Sequence, residues 1–220
     1  MLLSLTACVG FSEDDATTLV QGNLDVIYLN KHNEDYLKMV DSSKEEAEQD
    51  YLDGLEVEAE YFANYWGIVE SSYGESYDDL DESLKNRIIE LYRKIYDNSK
   101  YEVQPASKQD DGSFIVKVLI DPIDIMEQAY ELYYNDEYAP LNEFWDKYAY
   151  TDFSTMSDED YIAYTHEYGE IIVQLVEDQL PNLGYKEQKS QAIQVEEVDG
   201  SYGINDEDWG IFDSYVIYYP

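Results

Sequence analysis

Basic side chains are scarce in this 220-residue sequence, since Lys and Arg together number 13 against 50 Asp and Glu. The formal net charge is −37 at pH 7. A surface this negative repels phosphate backbones, and it offers anionic lipid headgroups no basic patch to bind. The composition therefore excludes a nucleic-acid-binding function and predicts no direct adsorption to a membrane surface.

Cysteine and histidine are also nearly absent, with one Cys and two His. One cysteine can form neither an intramolecular disulfide nor a thiolate zinc site. No Gly-x-Ser-x-Gly elbow is present, which argues against a Ser-His-Asp site. His32, at a predicted helix end, and His166, between Tyr164 and Tyr168 on an amphipathic helix, are expected to cap or pack. The glycine-rich loops that cradle phosphates are missing as well. We therefore expect no cofactor and no enzymatic activity.

Long apolar runs are missing too, because no apolar stretch approaches the roughly 18 residues that a membrane-spanning helix needs. What the sequence does contain is tyrosine, at 24 of 220 residues, within a hydrophobic fraction of 44%. This is too much apolar and aromatic material for a disordered acidic tail. The sequence predicts a folded, acidic, tyrosine-rich protein.

The single cysteine lies in the segment Leu5-Thr-Ala-Cys8, after one large apolar and two small residues. This segment resembles a bacterial lipobox, in which the cysteine thiol is diacylated before the signal peptidase cleaves. Residues 11–18 would then form a short acidic tether. The preceding segment is shorter than an ordinary signal peptide and lacks its basic residues, so a small buried apolar Cys8 is the alternative. The predicted location is the extracytoplasmic face of the cell membrane, through a lipid anchor.

Apolar residues recur at helical spacing over much of the chain. A capping box at Ser43-Lys-Glu-Glu46 opens a long helix, and its apolar stripe consists of Ala47, Tyr51, Leu55, Ala59, Phe62, Trp66 and Val69. Further helices are predicted over residues 14–32, 33–40, 80–98, 125–148 and 157–180. Pro140 is the expected break in the fourth of these helices.

Period-two patterns predict strands over residues 101–104, 113–121, 191–198 and 209–218. In the second strand, Phe114, Val116, Val118 and Ile120 form the expected buried face. An Asp-Gly-Ser-aromatic sequence occurs both at Asp111–Phe114 and at Asp199–Tyr202, and such Asp-Gly pairs favour tight turns.

This recurrence predicts an α+β protein of two similar units, each made of amphipathic helices followed by an antiparallel β hairpin. The predicted division is a truncated lipoprotein signal and tether over 1–13, a first unit over 14–122 and a second unit over 123–220.

The lipobox, the helix-rich body and the β segments with Asp-Gly-aromatic turns resemble small secreted lipoproteins of Gram-positive bacteria that are classed as domains of unknown function. The stretch Val20–Tyr28 is similar to their opening helix. The resemblance implies a cystatin-like or NTF2-like fold, with helices packed on a curved antiparallel sheet. It implies no catalytic residues.

Two acidic segments, Asp206–Gly210 and Asp78–Glu82, present several hard oxygens that could attract calcium. The first segment lacks the glutamate of an EF-hand loop, because Ile217 stands at loop position 12. Asp206 and Asp208 are therefore weak metal candidates, and solvated acidic loops are the expected structure. We expect salt to stabilise this charged chain by screening alone, with no specific calcium effect.

The tyrosines suggest a binding surface. Tyr161, Tyr164 and Tyr168 share one helix face and are expected to pack, but another group is too numerous for one helix face: Tyr133, Tyr134, Tyr138, Tyr148 and Tyr150. Exposed tyrosines can bind protein or carbohydrate, and plain packing is the alternative. The sequence thus favours a binding module for a cell-surface protein or carbohydrate. A secreted carboxylate-dependent hydrolase, with two buried acids in a deep pocket, is the alternative function.

Overall fold

The computed structural model describes residues 10–69 and 76–220 of the chain, so the predicted lipidation site Cys8 lies outside the described residues. The helices and strands follow one another as α1 (Glu13–Leu29), α2 (Glu34–Met39), α3 (Lys44–Tyr65), α4 (Glu82–Tyr96), β1 (Lys100–Val103), β2 (Ser107–Lys108), β3 (Phe114–Asp121), α5 (Ile125–Tyr134), α6 (Ala139–Tyr148), α7 (Asp158–Glu177), β4 (Lys189–Val198), β5 (Ser201–Ile204) and α8 (Asp206–Val216). No helix within the described ranges is long and apolar enough to span a bilayer.

Hydroxyl caps start several of these helices, as the sequence predicts. The backbone N–H of Ser43 donates to Glu46 at 2.7 Å, and the N–H of Glu46 donates back to the Ser43 hydroxyl at 3.1 Å. The backbone N–H groups of Ser43 and Glu46, which have no partner within the helix, are thereby both hydrogen-bonded. The predicted apolar stripe of α3 and the turn after it is buried throughout. Pro140 lies in the first turn of α6, and the predicted break before it is confirmed.

The predicted tether over residues 11–18 is wrong, because α1 begins at Glu13 and Ser12 caps it. The acidic residues of this segment fill the first helical turn, where the helix dipole favours negative charge. Phe11 is also packed, since its ring stacks on Tyr202 with centroids 4.0 Å apart and planes 6° from parallel. Among the described residues, the packed body therefore includes Phe11.

The sheet is antiparallel, with strand order β1-β3-β4-β5 and the short β2 also paired to β3. Alternate residues of β3 are buried as predicted, and Val116 pairs with Ile193 while Phe114 pairs with Val195. These four side chains are fully buried. Strand register therefore follows the apolar alternation.

The predicted repeat of helices followed by a hairpin is not what forms. Strands β3 and β4 pair from Phe114↔Val195 to Ile120↔Lys189, so one sheet takes its strands from both sides of the predicted boundary at residue 122. Asp199 and Gly200 make a two-residue turn with φ of 54° and 81°, and the next strand starts directly at Ser201. Positive φ at both positions is the turn geometry that Asp-Gly supports.

The predicted strand over residues 209–218 is wrong, because these residues belong largely to α8. The Asn205 side chain accepts hydrogen bonds from the N–H groups of Glu207 and Asp208, at 3.1 and 3.2 Å. An Asn cap followed by acidic residues in the first turn favours a helix start.

The described chain forms two compact units, each assembled from separate segments. The sheet unit consists of the described residues within 1–54 together with Tyr96–Asp124 and Tyr185–Tyr218. The helical unit consists of the described residues within Leu55–Ile95 together with Ile125–Gly184 and Tyr219–Pro220. The α+β class is confirmed, whereas the division differs from 14–122 and 123–220 because strand pairing joins distant segments.

Candidate functional site

A cleft of about 740 Å³ opens in the helical unit, and we call it the aromatic cleft. Most of its lining residues are aromatic. The lining comprises Trp66, Gly67, Ile68, Tyr133, Trp145, Phe153, Tyr161, Tyr164, Thr165 and Tyr168. Its volume is within the range of about 300–1,000 Å³ that ligand pockets occupy.

Helix α7 supplies one wall of the aromatic cleft. Tyr161, Tyr164, Thr165 and Tyr168 are three or four residues apart along the helix, so their side chains share one face. Tyr168 is buried, while Tyr161 and Tyr164 are half-buried. The predicted shared face is thus present, and it borders the cleft as well as the core.

The other walls come from α5, α6 and the chain that follows α3. Tyr133 lies in α5 and Trp145 in α6, while Trp66 and Ile68 follow α3 on either side of Gly67. Gly67 has a φ of +65°, a conformation that glycine adopts without strain. It turns the backbone so that the residues on both of its sides line the cleft.

A layer of contacts behind the lining holds these rings in place. Phe144 is buried, and its ring lies 5.1 Å from Tyr164 and 5.6 Å from Tyr168, centroid to centroid. The Tyr168 hydroxyl donates to the carbonyl oxygen of Trp66 at 2.8 Å. Aromatic pairs at such distances add about 0.5–1.5 kcal/mol to the burial of their area. The cleft is therefore pre-formed.

The lining side chains are uncharged in the described part of the chain, and their polar atoms are tyrosine and threonine hydroxyls and indole N–H groups. Trp66 is only 5% exposed, and its Nε1 is buried without a hydrogen-bond partner among the described residues. An unmatched buried N–H costs about 1–3 kcal/mol. A ligand oxygen that reached this N–H would recover that cost.

Two lining side chains are unusually exposed for their size. Trp145 is 39% exposed and Phe153 is 45% exposed. Their rings nevertheless keep contact with the wall, since Trp145 lies 5.6 Å from Tyr168 and Phe153 lies 5.0 Å from Tyr164. The rim of the cleft therefore offers apolar ring surface to solvent.

Of the five tyrosines predicted from the sequence to bind a ligand, Tyr133 lines the aromatic cleft. Tyr148 lies behind its wall, where the ring is 4.8 Å from Tyr164 and the hydroxyl donates to Glu167 at 2.9 Å. Tyr138 donates its hydroxyl to Asp178 at 2.9 Å. Tyr134 is 72% exposed and Tyr150 is fully exposed, and neither lines the cleft.

Six of the seven lining aromatics were not predicted to form a site. Tyr161, Tyr164 and Tyr168 were expected to pack. Trp66 was assigned to the core stripe of α3, and the sequence reasoning singled out neither Trp145 nor Phe153. The sequence did carry a signal for Trp145 and Phe153, because large aromatic side chains next to acidic residues on short elements are candidates for exposure.

The weak metal candidates Asp206 and Asp208 belong to the start of α8. Asp208 accepts a hydrogen bond from the backbone N–H of Gln194 at 2.8 Å, so its carboxylate caps the sheet where β5 leaves β4. Asp206 lies in the exposed first turn. Within residues 10–69 and 76–220, no three His, Cys, Asp or Glu side chains are grouped to hold a metal ion.

The second acidic segment caps a helix. Asp81 accepts hydrogen bonds from the N–H of Ser83 at 2.8 Å and from its hydroxyl, and these bonds lower the pKa of Asp81. His166 lies nearby on α7, with its Nε2 at 3.8 Å from an Asp81 oxygen and 4.0 Å from Glu170. The other histidine, His32, has its Nε2 buried without a partner among the described residues.

The fold resembles the crystal structure of a candidate lipoprotein (ycdA) from Bacillus subtilis subsp. subtilis str. 168, with a TM-score of 0.57 and 18% sequence identity. The match covers 93% of this chain and 56% of that one, so this chain spans little more than half of its length. At this identity the similarity shows a shared fold. No protein-family model matches the chain, and no curated protein matches its sequence.

Proposed function

We propose that the protein is an extracytoplasmic binding protein, and that its aromatic cleft binds a saccharide. The observation that carries the proposal is the lining itself, which combines seven aromatic side chains with hydroxyl groups and no charged group among the described residues. The apolar C–H faces of a sugar ring stack on aromatic side chains, and its hydroxyls exchange hydrogen bonds with phenol and threonine hydroxyls.

Pre-organisation supports this choice of ligand. Tyrosine and tryptophan provide contact area with few rotatable bonds, so little conformational entropy is lost on binding. The protein's charge of −37 also disfavours an anionic ligand, and no Lys or Arg is among the described residues that line the cleft. A neutral or cationic saccharide fits both facts.

A hydrolase is the weaker function for this site. Glycoside hydrolysis ordinarily needs two carboxyl groups that flank the scissile bond. No Asp or Glu is among the described residues that line the aromatic cleft. The nearby Glu167 is paired with Lys147 at 2.5 Å and with the hydroxyl of Tyr148.

The location is part of the proposal. Acylation of Cys8 would hold the protein on the outer face of the membrane, where cell-surface glycans are accessible. The fold shared with a candidate lipoprotein of B. subtilis supports this address. The more specific cystatin-like or NTF2-like assignment stays a prediction from the resemblance.

Calorimetric titration with two trisaccharides tests the cleft. The probes are N,N′,N″-triacetylchitotriose, which is neutral, and chitotriose, which carries free amines, and tryptophan fluorescence provides a second readout. We expect at least one probe to bind, and we expect Trp145→Ala to weaken that binding by tenfold or more, roughly the loss of one good stacking contact.

The matched control is Tyr150→Ala, which removes a fully exposed aromatic side chain outside the lining. It is expected to leave the affinity unchanged. The proposal is overturned if neither trisaccharide binds, or if Trp145→Ala and Tyr150→Ala change the affinity equally.

A further inference from the structure

One buried hydrogen-bond donor on the wall of the aromatic cleft lacks an acceptor. Trp66 lines the cleft and is only 5% exposed, yet its Nε1 makes no hydrogen bond with any described residue. Among the described residues that line the cleft, no side chain carries a carbonyl or a carboxylate group that could accept from it. Buried polar groups in folded proteins are nearly always hydrogen-bonded. In a ligand pocket, a few polar groups of this kind fix the orientation of the ligand.

The indole that carries this donor is held in place by its neighbours. The carbonyl oxygen of Trp66 accepts a hydrogen bond from the Tyr168 hydroxyl at 2.8 Å. The indole packs edge to face against two rings, with centroids 5.3 Å from Tyr65 and 5.6 Å from Tyr133. Tyr133 also lines the cleft, so a ligand in the cleft meets the indole beside this ring. The donor is therefore pre-organised, and little conformational entropy is lost when it binds an acceptor.

The donor selects among the polar groups of a sugar. An indole N–H donates only, whereas the hydroxyls of the cleft can both donate and accept. A sugar hydroxyl that accepted from Trp66 would bring its own O–H into the buried site, and that O–H would need a further acceptor. An ammonium group carries only donors and cannot accept at all. A carbonyl oxygen accepts and brings no proton with it.

The wall beside the donor is apolar. Ile68 lines the cleft two residues after Trp66 and is buried, with 1% of its surface exposed. A methyl group attached to the bound carbonyl would gain contact with this side chain. An acetamido group combines a carbonyl acceptor with such a methyl group and carries no charge.

We propose that the ligand is a saccharide with an N-acetyl group, whose carbonyl oxygen accepts a hydrogen bond from Trp66 Nε1 while its methyl group contacts Ile68. The inference rests on the proposed function, because it names the class of saccharide that the cleft binds. Trp66 is then the residue that determines specificity. A sugar with a hydroxyl in place of the acetamido group keeps its stacking contacts and leaves the indole N–H unpaired.

The test compares N,N′,N″-triacetylchitotriose with cellotriose, which has the same backbone and a hydroxyl in place of each acetamido group. In calorimetric titrations we expect the acetylated trimer to bind about tenfold more tightly, which corresponds to about 1.4 kcal/mol. Both trimers are uncharged, so added salt should leave this preference unchanged.

The variant Trp66→Phe keeps an aromatic ring in the wall and removes the N–H. We expect the preference for the acetylated trimer to fall to about twofold or less, because the acceptor then has no donor. The matched control is Trp209→Phe, which makes the same change in α8 at a residue outside the cleft lining. It should keep the full preference.

A second measurement uses the unaltered protein and so does not depend on how well Trp66→Phe folds. The sequence has three tryptophans, which give three indole signals in proton–nitrogen correlation NMR, and each Trp→Phe variant assigns one of them. The acetylated trimer should move the Trp66 indole proton downfield, since a new hydrogen bond deshields it. Cellotriose should not, and neither trimer should move the signal of Trp209.

Equal binding of the two trimers would overturn this inference and leave the saccharide function standing, as long as Trp145→Ala weakens both. A preference that survived in Trp66→Phe would overturn it too, as would a Trp66 indole signal that the acetylated trimer does not move. If neither triacetylchitotriose nor chitotriose bound, the proposed function would fail and this inference would fail with it.

Discussion

The strands of the sheet unit and the cleft of the helical unit are built from different side chains. In the sheet unit, aliphatic residues and one phenylalanine alternate along β3 and β4, and the paired Val116 and Ile193 have no exposed surface. In the helical unit, Tyr and Trp side chains line the aromatic cleft, where the ring centroids of Trp145 and Tyr168 are 5.6 Å apart.

The difference follows from the shapes and polarities of these residues. Branched aliphatic side chains on a pleated sheet interlock to near-crystalline density and leave few voids. A tyrosine has an apolar ring and a polar tip, so it packs at an edge and keeps its hydroxyl near water or a partner. In the helical unit, tyrosines of α5 and α7 contribute their rings to the lining of the aromatic cleft.

The largest expected effect is in the sheet unit. Phe114→Ala should lower the free energy of unfolding by about 3–5 kcal/mol, because it removes a fully buried ring from the centre of the sheet. The change is measured by chemical denaturation. Lys117→Ala, at an exposed position of the same strand, should change it by less than about 0.5 kcal/mol. Similar small effects of both substitutions would contradict the close packing assigned to the sheet unit.

Substitutions of buried glycines test how far the neighbouring side chains in each unit can shift to accept an added methyl group. At Gly22 in α1, an added Cβ would lie 2.1 Å from the ring of Tyr36, whereas at Gly169 in α7 it would lie 2.6 Å from a methyl group of Leu84. A ring yields less than a methyl group, so Gly22→Ala should cost about 3 kcal/mol and Gly169→Ala about 1 kcal/mol. Gly54→Ala, in open space within α3, should stabilise by about 0.5–1 kcal/mol. Thermal unfolding of the three variants would rank them, and the reverse order of the first two would contradict the comparison.

A charged contact gives a smaller effect. Arg87 in α4 donates to Glu170, to Gln174 at 2.6 Å and to Glu177 at 2.6 Å, and its side chain is 26% exposed. Arg87→Met should cost about 1–2 kcal/mol in urea unfolding, because the two glutamates lose their shared cation. The loss should shrink at high salt.

The sheet-unit counterpart of that contact is Lys38, which lies 3.6 Å from Glu34 on α2 with both side chains highly exposed. Lys38→Met should change the free energy of unfolding by less than about 0.5 kcal/mol. If Arg87→Met and Lys38→Met lowered the free energy of unfolding equally, net charge rather than the partly buried geometry of Arg87 would determine the effect.

The smallest effects are in the pH dependence, and they have opposite signs in the two units. Burial raises the pKa of Asp213, against the opposing hydrogen bond from Tyr28, so its ionised form destabilises the sheet unit at neutral pH. Relative to Asp213→Asn, the wild type should gain stability as the pH falls through the raised pKa towards about 4. The Lys147 ammonium lowers the pKa of Glu167. Relative to Glu167→Gln, the wild type should therefore lose stability as the pH falls towards the lowered pKa of Glu167.

Unfolding free energies of the wild type and the two variants, measured between about pH 7 and pH 4, give both slopes. Slopes of the same sign for the two carboxyl groups would contradict the assignment of Asp213 to a buried site and of Glu167 to an ion pair.

Much of the fold could be predicted because its signals are local. The capping box of Ser43, the apolar stripe of α3 and the alternation in β3 are each contained within a few turns or one strand. The pairing of β3 with β4 could not be predicted in this way, since no local pattern states which distant strand is the partner. Helix α8 was missed because Asp206–Gly210 was interpreted as an acidic loop and residues 209–218 as a strand.

The candidate site was predicted less well than the fold. Helical spacing placed Tyr161, Tyr164 and Tyr168 on one face, but spacing cannot say whether that face is covered or borders a cleft. Tyr133 and Tyr134 are adjacent in sequence, yet Tyr133 lines the cleft and Tyr134 does not. Only the packing of α5, α6 and α7 in three dimensions distinguishes these positions.

The stacking of Phe11 on Tyr202 limits how far an anchored protein could reach. Under the proposed acylation of Cys8, three Cα–Cα steps separate the lipid-bearing residue from the first packed ring. At about 3.8 Å a step, these span at most about 11 Å. The sheet unit would therefore be held close to the lipid headgroups. It would have no long flexible linker with which to move through the depth of a cell wall.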